Sequence, residues 1–213
     1  ITSGGGDVTL HADSNNNGSG EIFVDANVTS GGGAITIGGG TDPATDEAQK
    51  ITVNSGTVSS GAGNISIRGR DSSAGADVLR IESGAVVQSA NGNIDLFAVS
   101  GDDAVIVVGT VESTGLGTIT LDGEGTASGS AEGIAIASTG VVRTNTGAIN
   151  LNGNGSAGAN GDDVQFFDTS IIESTGGGAI NITADEEDTI AGAGSGRMQS
   201  SGPLNITPRT ASP

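Results

Sequence analysis

An apolar residue, a Ser or Thr two places on, a short bend, then Gly-x-apolar-x-apolar: this phrase occurs eight times along the chain. It opens as Ile1-Thr2-Ser3 followed by Gly6-Asp7-Val8-Thr9-Leu10, and returns as Val28-Thr29-Ser30 followed by Gly33-Ala34-Ile35-Thr36-Ile37. Its Ser/Thr positions are 3, 30, 60, 89, 113, 144, 174 and 200, spaced by 24 to 31 residues with a mean of about 28. Between copies lies a second alternating segment: Ile22–Val24, Ile51–Val53, Leu79–Ile81, Val105–Val108, Ile134–Ile136 and Val164–Phe166. Both segments have the two-residue period of a half-buried strand. No stripe at 3.6-residue spacing accompanies them. The last interval holds only Ile190 in the corresponding place, so an irregular coil is expected there.

A repeat of this size cannot bury its own apolar face; stacking equivalent strands of successive repeats does so. The pattern therefore predicts an all-β protein, a parallel β-helix or β-solenoid of about seven coils with about 28 residues per coil. The usual crossover preference makes it right-handed. Residues 1–206 form the single repeat domain, and 207–213 a tail or linker. At ~4.8 Å per coil the rod is roughly 34 Å long. Two inward ladders follow from the alignment. One runs Val8, Ile35, Ile65, Ile94, Ile119, Ile149, Ile180, Leu204; the other Leu10, Ile37, Ile67, Leu96, Leu121, Leu151, Ile182, Ile206. The Ser/Thr column is expected to hydrogen-bond turn backbone from coil to coil. The Gly column marks corners where a Cβ clashes or φ is positive. Variable loops fall between the two strands, from Arg68, Phe97, Asp122 and Asn152 onward in the middle coils.

Composition fits a narrow tube. The 213 residues include 39 Gly and only four Phe, with no Trp, Tyr or Cys, and hydrophobic residues make up 34%. The formal charge is −18, from 25 acids against seven Lys plus Arg. Nucleic acid is thereby excluded as a partner, since phosphate binding needs clustered cations. No apolar run approaches the ~18 residues of a membrane span, so direct membrane insertion is not expected. The chain starts without Met and in mid-phrase, as an excised or processed piece would.

The phrases VSSGAGNISI (58–67), VQSANGNIDL (87–96) and IESTGGGAINI (172–182) resemble the coils of large secreted bacterial surface proteins. These are the filamentous-haemagglutinin-like and autotransporter-passenger adhesins. The resemblance covers essentially the whole chain and is architectural. It implies a β-helix and an extracellular or cell-surface setting.

Candidate chemistry lies in the acidic loops. Asp13-Ser14-Asn15-Asn16-Asn17-Gly18-Ser19-Gly20-Glu21 resembles a calcium loop, with oxygen ligands on alternate residues and Gly at the turn. Its closing Glu comes at position nine, not twelve, so it is no EF-hand. Asp13, Asn15, Asn17 and Glu21 are the candidate Ca²⁺ ligands, joined by the acid pairs Asp102/Asp103 and Asp162/Asp163; a solvated acidic edge is the competing reading. Catalysis is not expected: His11 is the only His, there is no Cys, and aromatic sugar platforms are scarce. Phe97 follows the inward Leu96 and so faces outward, as adhesive patch or as ordinary surface packing. The outward rank Thr9, Thr36, Ser66, Asp95, Thr120, Asn150, Asn181, Asn205 is too irregular for ice binding, but its last three members form an Asn ladder. The leading functional expectation is a rigid stalk or adhesive scaffold that meets a surface glycan or protein. Alternatives are a subunit stacking end to end through its open coil edges and, further off, a polysaccharide-active enzyme.

Overall fold

The computed structural model describes residues 1–14, 20–71, 73, 75–126, 131–156, 161–184 and 191–209. Those residues contain strands, turns and bends and no helix. The strands form three parallel sheets of eight, seven and seven members, each joining every third strand in chain order. This is the β-solenoid that the repeats predict. Each coil contributes one strand to each sheet.

The first sheet carries the two inward ladders, and its register matches the sequence alignment position by position. Val8 pairs with Ile35, Ile35 with Ile65, and so on to Ile180 with Leu204; Leu10 pairs with Ile37 and so on to Ile182 with Ile206. A one-residue slip would turn every one of these side chains to solvent, so burial fixes the register. The second sheet contributes two more ladders, from Ile22 to Val164 and from Val24 to Phe166. The apolar anchor of the repeat is itself a strand. Val28–Thr29, Thr57–Ser59, Val86–Ser89, Thr110–Ser113, Val141–Thr144, Ile171–Ser174 and Arg197–Ser200 make the third sheet. Val28, Val58, Val87, Val111, Val142, Ile172 and Met198 form its inward column. The core is thus one continuous aliphatic cylinder.

The coil around Ile190, expected to be irregular, still supplies a strand: Ala191–Gly194 pairs with Val164–Asp168 and keeps the second sheet going. Ile190 itself lies outside the described residues. First-sheet strands also run past the I-x-I pair into stretches read as loop, as Ile65–Asp71, Ile94–Ser100, Ile119–Gly125 and Ile149–Asn154. Their third inward column is Gly69, Ala98, Gly123, Gly153. A Cβ on Gly123 or Gly153 would lie less than 3.0 Å from the Gly133 or Asp163 carbonyl across the corner. The alternation persists there, but the space excludes the branched side chains that announce a strand.

The Ser/Thr column mostly does what its position predicts. Ser30 Oγ donates to the carbonyls of Gly33 (2.5 Å) and Ser60 (3.1 Å). Ser60 reaches Gly63 O (2.5 Å), Ser174 reaches Asn145 O (3.2 Å) and Ser200 reaches Gly178 O (2.8 Å). Ser89 donates back to Gly61 and Gly63 at 3.1 Å and accepts from Gly92 N at 2.9 Å. Ser113 Oγ and Thr144 Oγ1, equally buried, have no partner among the described groups. Removing a bonded hydroxyl and removing an orphan one should therefore differ in sign. Ser60→Ala is expected to cost about 1 kcal/mol, whereas Thr144→Val, which keeps the shape, is expected to be neutral or stabilising. Thermal melting of the two variants checks this; equal losses would show that the column acts by volume alone.

Candidate functional site

The acids that precede the second sheet are organised by its register. Counting back two residues from Leu79, Val105, Ile134 and Val164 gives Asp77, Asp103, Glu132 and Asp162, one per coil. Backbone bonds from Ala104 N to Glu132 O and from Gly133 N to Asp162 O, both 3.0 Å, carry the stacking into these positions. The result is a column of four carboxyl groups along one edge of the rod, about one coil spacing (~4.8 Å) apart. The sequence pairs separate within it. Asp103 and Asp162 belong to the column, two coils apart with Glu132 between them. Asp163 turns inward: it is fully buried, and its Oδ1 accepts from Gly155 N at 2.6 Å. Asp102 sits beside the column, half-buried.

Like charges in register raise one another's pKa, and burial adds to this. Asp77 is raised by burial and then by the Asp103 charge, with Arg80 pulling the other way. Asp102 is raised by burial and by Asp103. Glu132 is pushed up to about 8, first by burial, then by a hydrogen bond to Asp103 and by the charges of Asp103 and Asp162. The Asp103 carboxylate also accepts from the Glu132 backbone N–H at 3.2 Å. At neutral pH the proton on Glu132 therefore bridges two coils. Glu132 and Asp77 stand among the loop acids of the sequence, but their shared offset from the second strand is the signal that joins them.

Elsewhere the acids are engaged locally, so the edge is not uniformly acidic. Asp46 accepts from the backbone N–H groups of Asp42 and Thr41, which hold its carboxyl below the ordinary value. Glu47 faces Arg68 and Arg70 at 3.6 and 3.5 Å. On the third sheet Glu112, Arg143, Glu173 and Arg197 alternate in sign, with Arg143–Glu173 at 2.5 Å and Glu173–Arg197 at 3.1 Å. Such cross-strand pairs help to lock register.

Of the candidate calcium loop, Asn15 and Asn17 lie outside the described residues. Asp13 takes a left-handed φ of 56°. A Cβ on Gly20 would lie less than 3.0 Å from it, so the two ends of the loop meet there. Glu21 begins an exposed strand of the second sheet. Among the described residues no three His, Asp or Glu side chains gather as a metal-binding group.

Phe97 points outward from the first sheet, as its alternation requires, and is half-buried. The Arg68 guanidinium of the preceding coil lies 4.3 Å from the ring centroid. A groove of about 270 Å³ runs past the ring between Ser66, Arg68, Asp95, Thr120 and Asp122. The Asn ladder continues this outward face: Asn181 donates to Asn150 and Asn205 to Asn181, both at 2.8 Å. At the ends of the rod the columns are uncovered. Ile1 is 64% exposed at one end, Leu204 and Ile206 are 53% and 61% exposed at the other. His11 Nε2 lies against the Gly40 carbonyl near the first of these ends, where Ile1, Leu10, Ile22 and Phe23 border an open cavity of about 640 Å³.

Fold and site together define a parallel β-solenoid with a column of stacked carboxyl groups on one edge and an aromatic groove on its first sheet. Comparison with protein-family models, with curated proteins and with solved structures returns no match.

Proposed function

We propose that this chain is a structural and adhesive segment of a secreted bacterial surface protein, a stiff rod that holds binding surfaces away from the cell. The observation that carries the reading is the continuous cylinder: among the described residues, three parallel sheets in constant register tie each coil to the next. Bending such a rod would open backbone hydrogen bonds on one side of several coils at once. The proposal contains no catalytic step. Small-angle scattering should give a monomeric rod whose length grows by ~4.8 Å per coil when a whole repeat is inserted. A flexible or compact particle would sink it.

A second reading, a subunit stacking end to end, is favoured by the exposed Ile1, Leu204 and Ile206. Parallel edge strands with uncovered apolar columns are templates for pairing. If it holds, sedimentation shows concentration-dependent polymers that Leu204→Lys with Ile206→Lys abolishes. A wild-type chain that stays monomeric at high concentration removes it.

Calcium belongs to the proposal through the Asp13–Glu21 sequence pattern. A bound ion that meets only the folded state raises Tm with its concentration. Melting should therefore shift upward in Ca²⁺ relative to chelator, and identical curves remove calcium.

A further inference from the structure

Phe97 is the only phenyl ring on the outward face of the first sheet among the described residues. Apart from Leu96, the rest of its groove is lined by side chains that are polar at the tip. Asp95 and Asp122 offer acceptors, while Ser66 and Thr120 offer hydroxyls that accept or donate. Arg68, laid over the ring, fixes its orientation. A ligand that fits has one apolar face and a rim of hydroxyl donors.

Charge narrows the class. The chain as a whole is at −18 and repels anions. Locally the balance is different: Arg68 acts on Asp95 and Asp122, and Arg209, bonded to Gly153 O at 3.1 Å, also acts on Asp122. Two guanidinium groups thus offset Asp95 and Asp122, while Glu124 adds its charge at Asp122 and Glu47 is shared by Arg68 and Arg70. A cationic ligand would meet both arginines and an anionic one the surrounding acids; a neutral polyol meets neither obstacle and finds strong acceptors. Burial raises both Asp95 and Asp122, so hydroxyl donors that replace lost water favour their charged forms.

We propose that this groove is a subsite for one neutral pyranose residue of a glycan, with its apolar face on Phe97 and its hydroxyls donating to Asp95 and Asp122. The inference rests on the adhesive half of the function proposed above and names its ligand class.

The test is titration of the whole chain by calorimetry and by NMR with cellohexaose, mannohexaose and chitohexaose, with oligogalacturonate and oligolysine as charged comparators. At least one neutral oligosaccharide is expected to bind. Phe97→Ala should weaken it about tenfold, the scale of one lost aromatic contact. Asp122→Asn should weaken it as well, and Phe23→Ala, at the end of the rod, should leave it unchanged. Each variant is checked by its melting curve, and Phe97→Leu, which keeps apolar volume without the ring, stands in if Phe97→Ala unfolds. No binding of any neutral oligosaccharide, tighter binding of oligolysine, or binding indifferent to Phe97 overturns the subsite. A chain that fails these tests yet scatters as a monomeric rod loses the subsite alone; one that is not a rod loses the proposed function.

Discussion

Gly92→Ala is expected to break the middle of the rod, while Gly4→Ala leaves it intact. Gly92 belongs to the column Gly33, Gly63, Gly92, Gly117, Gly147, Gly178, where the chain turns from the third sheet into the first. A Cβ built on Gly92 lies less than 3.0 Å from the carbonyl oxygen of Gly63, the equivalent residue one coil below. The obstacle is backbone, so no rotamer change relieves it. None of these glycines has a positive φ, which separates the cause from conformational strain. Coils can separate only by losing the hydrogen bonds of two sheets at that corner. Overpacking at such a site costs about 3 kcal/mol or more, or about 6–12 °C in Tm for a chain of this length. Gly4 also sits in a turn with φ outside the left-handed region, but nothing lies within 4 Å of its Cβ position. Alanine there should change Tm by no more than a degree or so, within the range of ordinary surface substitutions. Calorimetry of the two variants decides the matter; equal melting would show that the column is tolerant and that its glycines are incidental.

The same column explains why so much of the fold was legible. In a solenoid every coil repeats the environment of the one below, so constraints on one residue recur as a column in the sequence. Val8 to Leu204 and Leu10 to Ile206 could be aligned by eye because aliphatic side chains alternate with polar ones at fixed offsets from Gly and Ser. What resisted reading was governed by the corners between sheets. The Gly69, Ala98, Gly123, Gly153 column looks like loop, because no branched residue fits beside the carbonyls of Gly133 and Asp163. The Ala191–Gly194 strand carries no branched residue at all, yet its pairing with Val164–Asp168 is set by the coil below. Sites are harder still. Asp102/Asp103 and Asp162/Asp163 stand out as doublets, but in each doublet only one residue joins the column. The pattern that matters, one acid two residues before Leu79, Val105, Ile134 and Val164, spans four coils and is invisible until the register is known. Alternation alone turns Phe97 outward; its groove depends on Arg68 and Asp122, which are neighbours only through stacking.

Raising the pH from 5 to 9 should destabilise the rod, and Glu132→Gln should remove part of that loss. The carboxyl of Glu132 is raised from an ordinary 4.5 to about 8. Below 4.5 both folded and unfolded chains hold its proton, so it contributes nothing to the pH dependence. Between 4.5 and 8 the folded chain holds the proton and the unfolded chain does not, so stability falls as pH rises. Above about 8 the folded chain also loses it, and the loss is complete. The cause is burial first and the column second: ionised Glu132 would lose water and face Asp103 below and Asp162 above. Asp162 is tied to Gln165 Nε2 at 2.9 Å, and Asp77 to Arg80 at 3.5 Å, so neither cation nor amide is left over for Glu132. Solvent reaches this half-buried carboxyl and screens it, which reduces the full linkage to about 2 kcal/mol. Asp77, Asp95, Asp102 and Asp122 are raised as well and slope the same way, so the informative quantity is the difference between variant and wild type. Glutamine keeps a donor toward Asp103 and never ionises. Glu132→Gln should match the wild type near pH 4.5 and exceed it progressively up to pH 9. Asp103→Asn, which removes the neighbouring charge but leaves the burial, should do the same to a smaller extent. Melting curves parallel to the wild type across this range would mean that the proton does not bridge the coils, and that the carboxyl column is no more than a solvated edge.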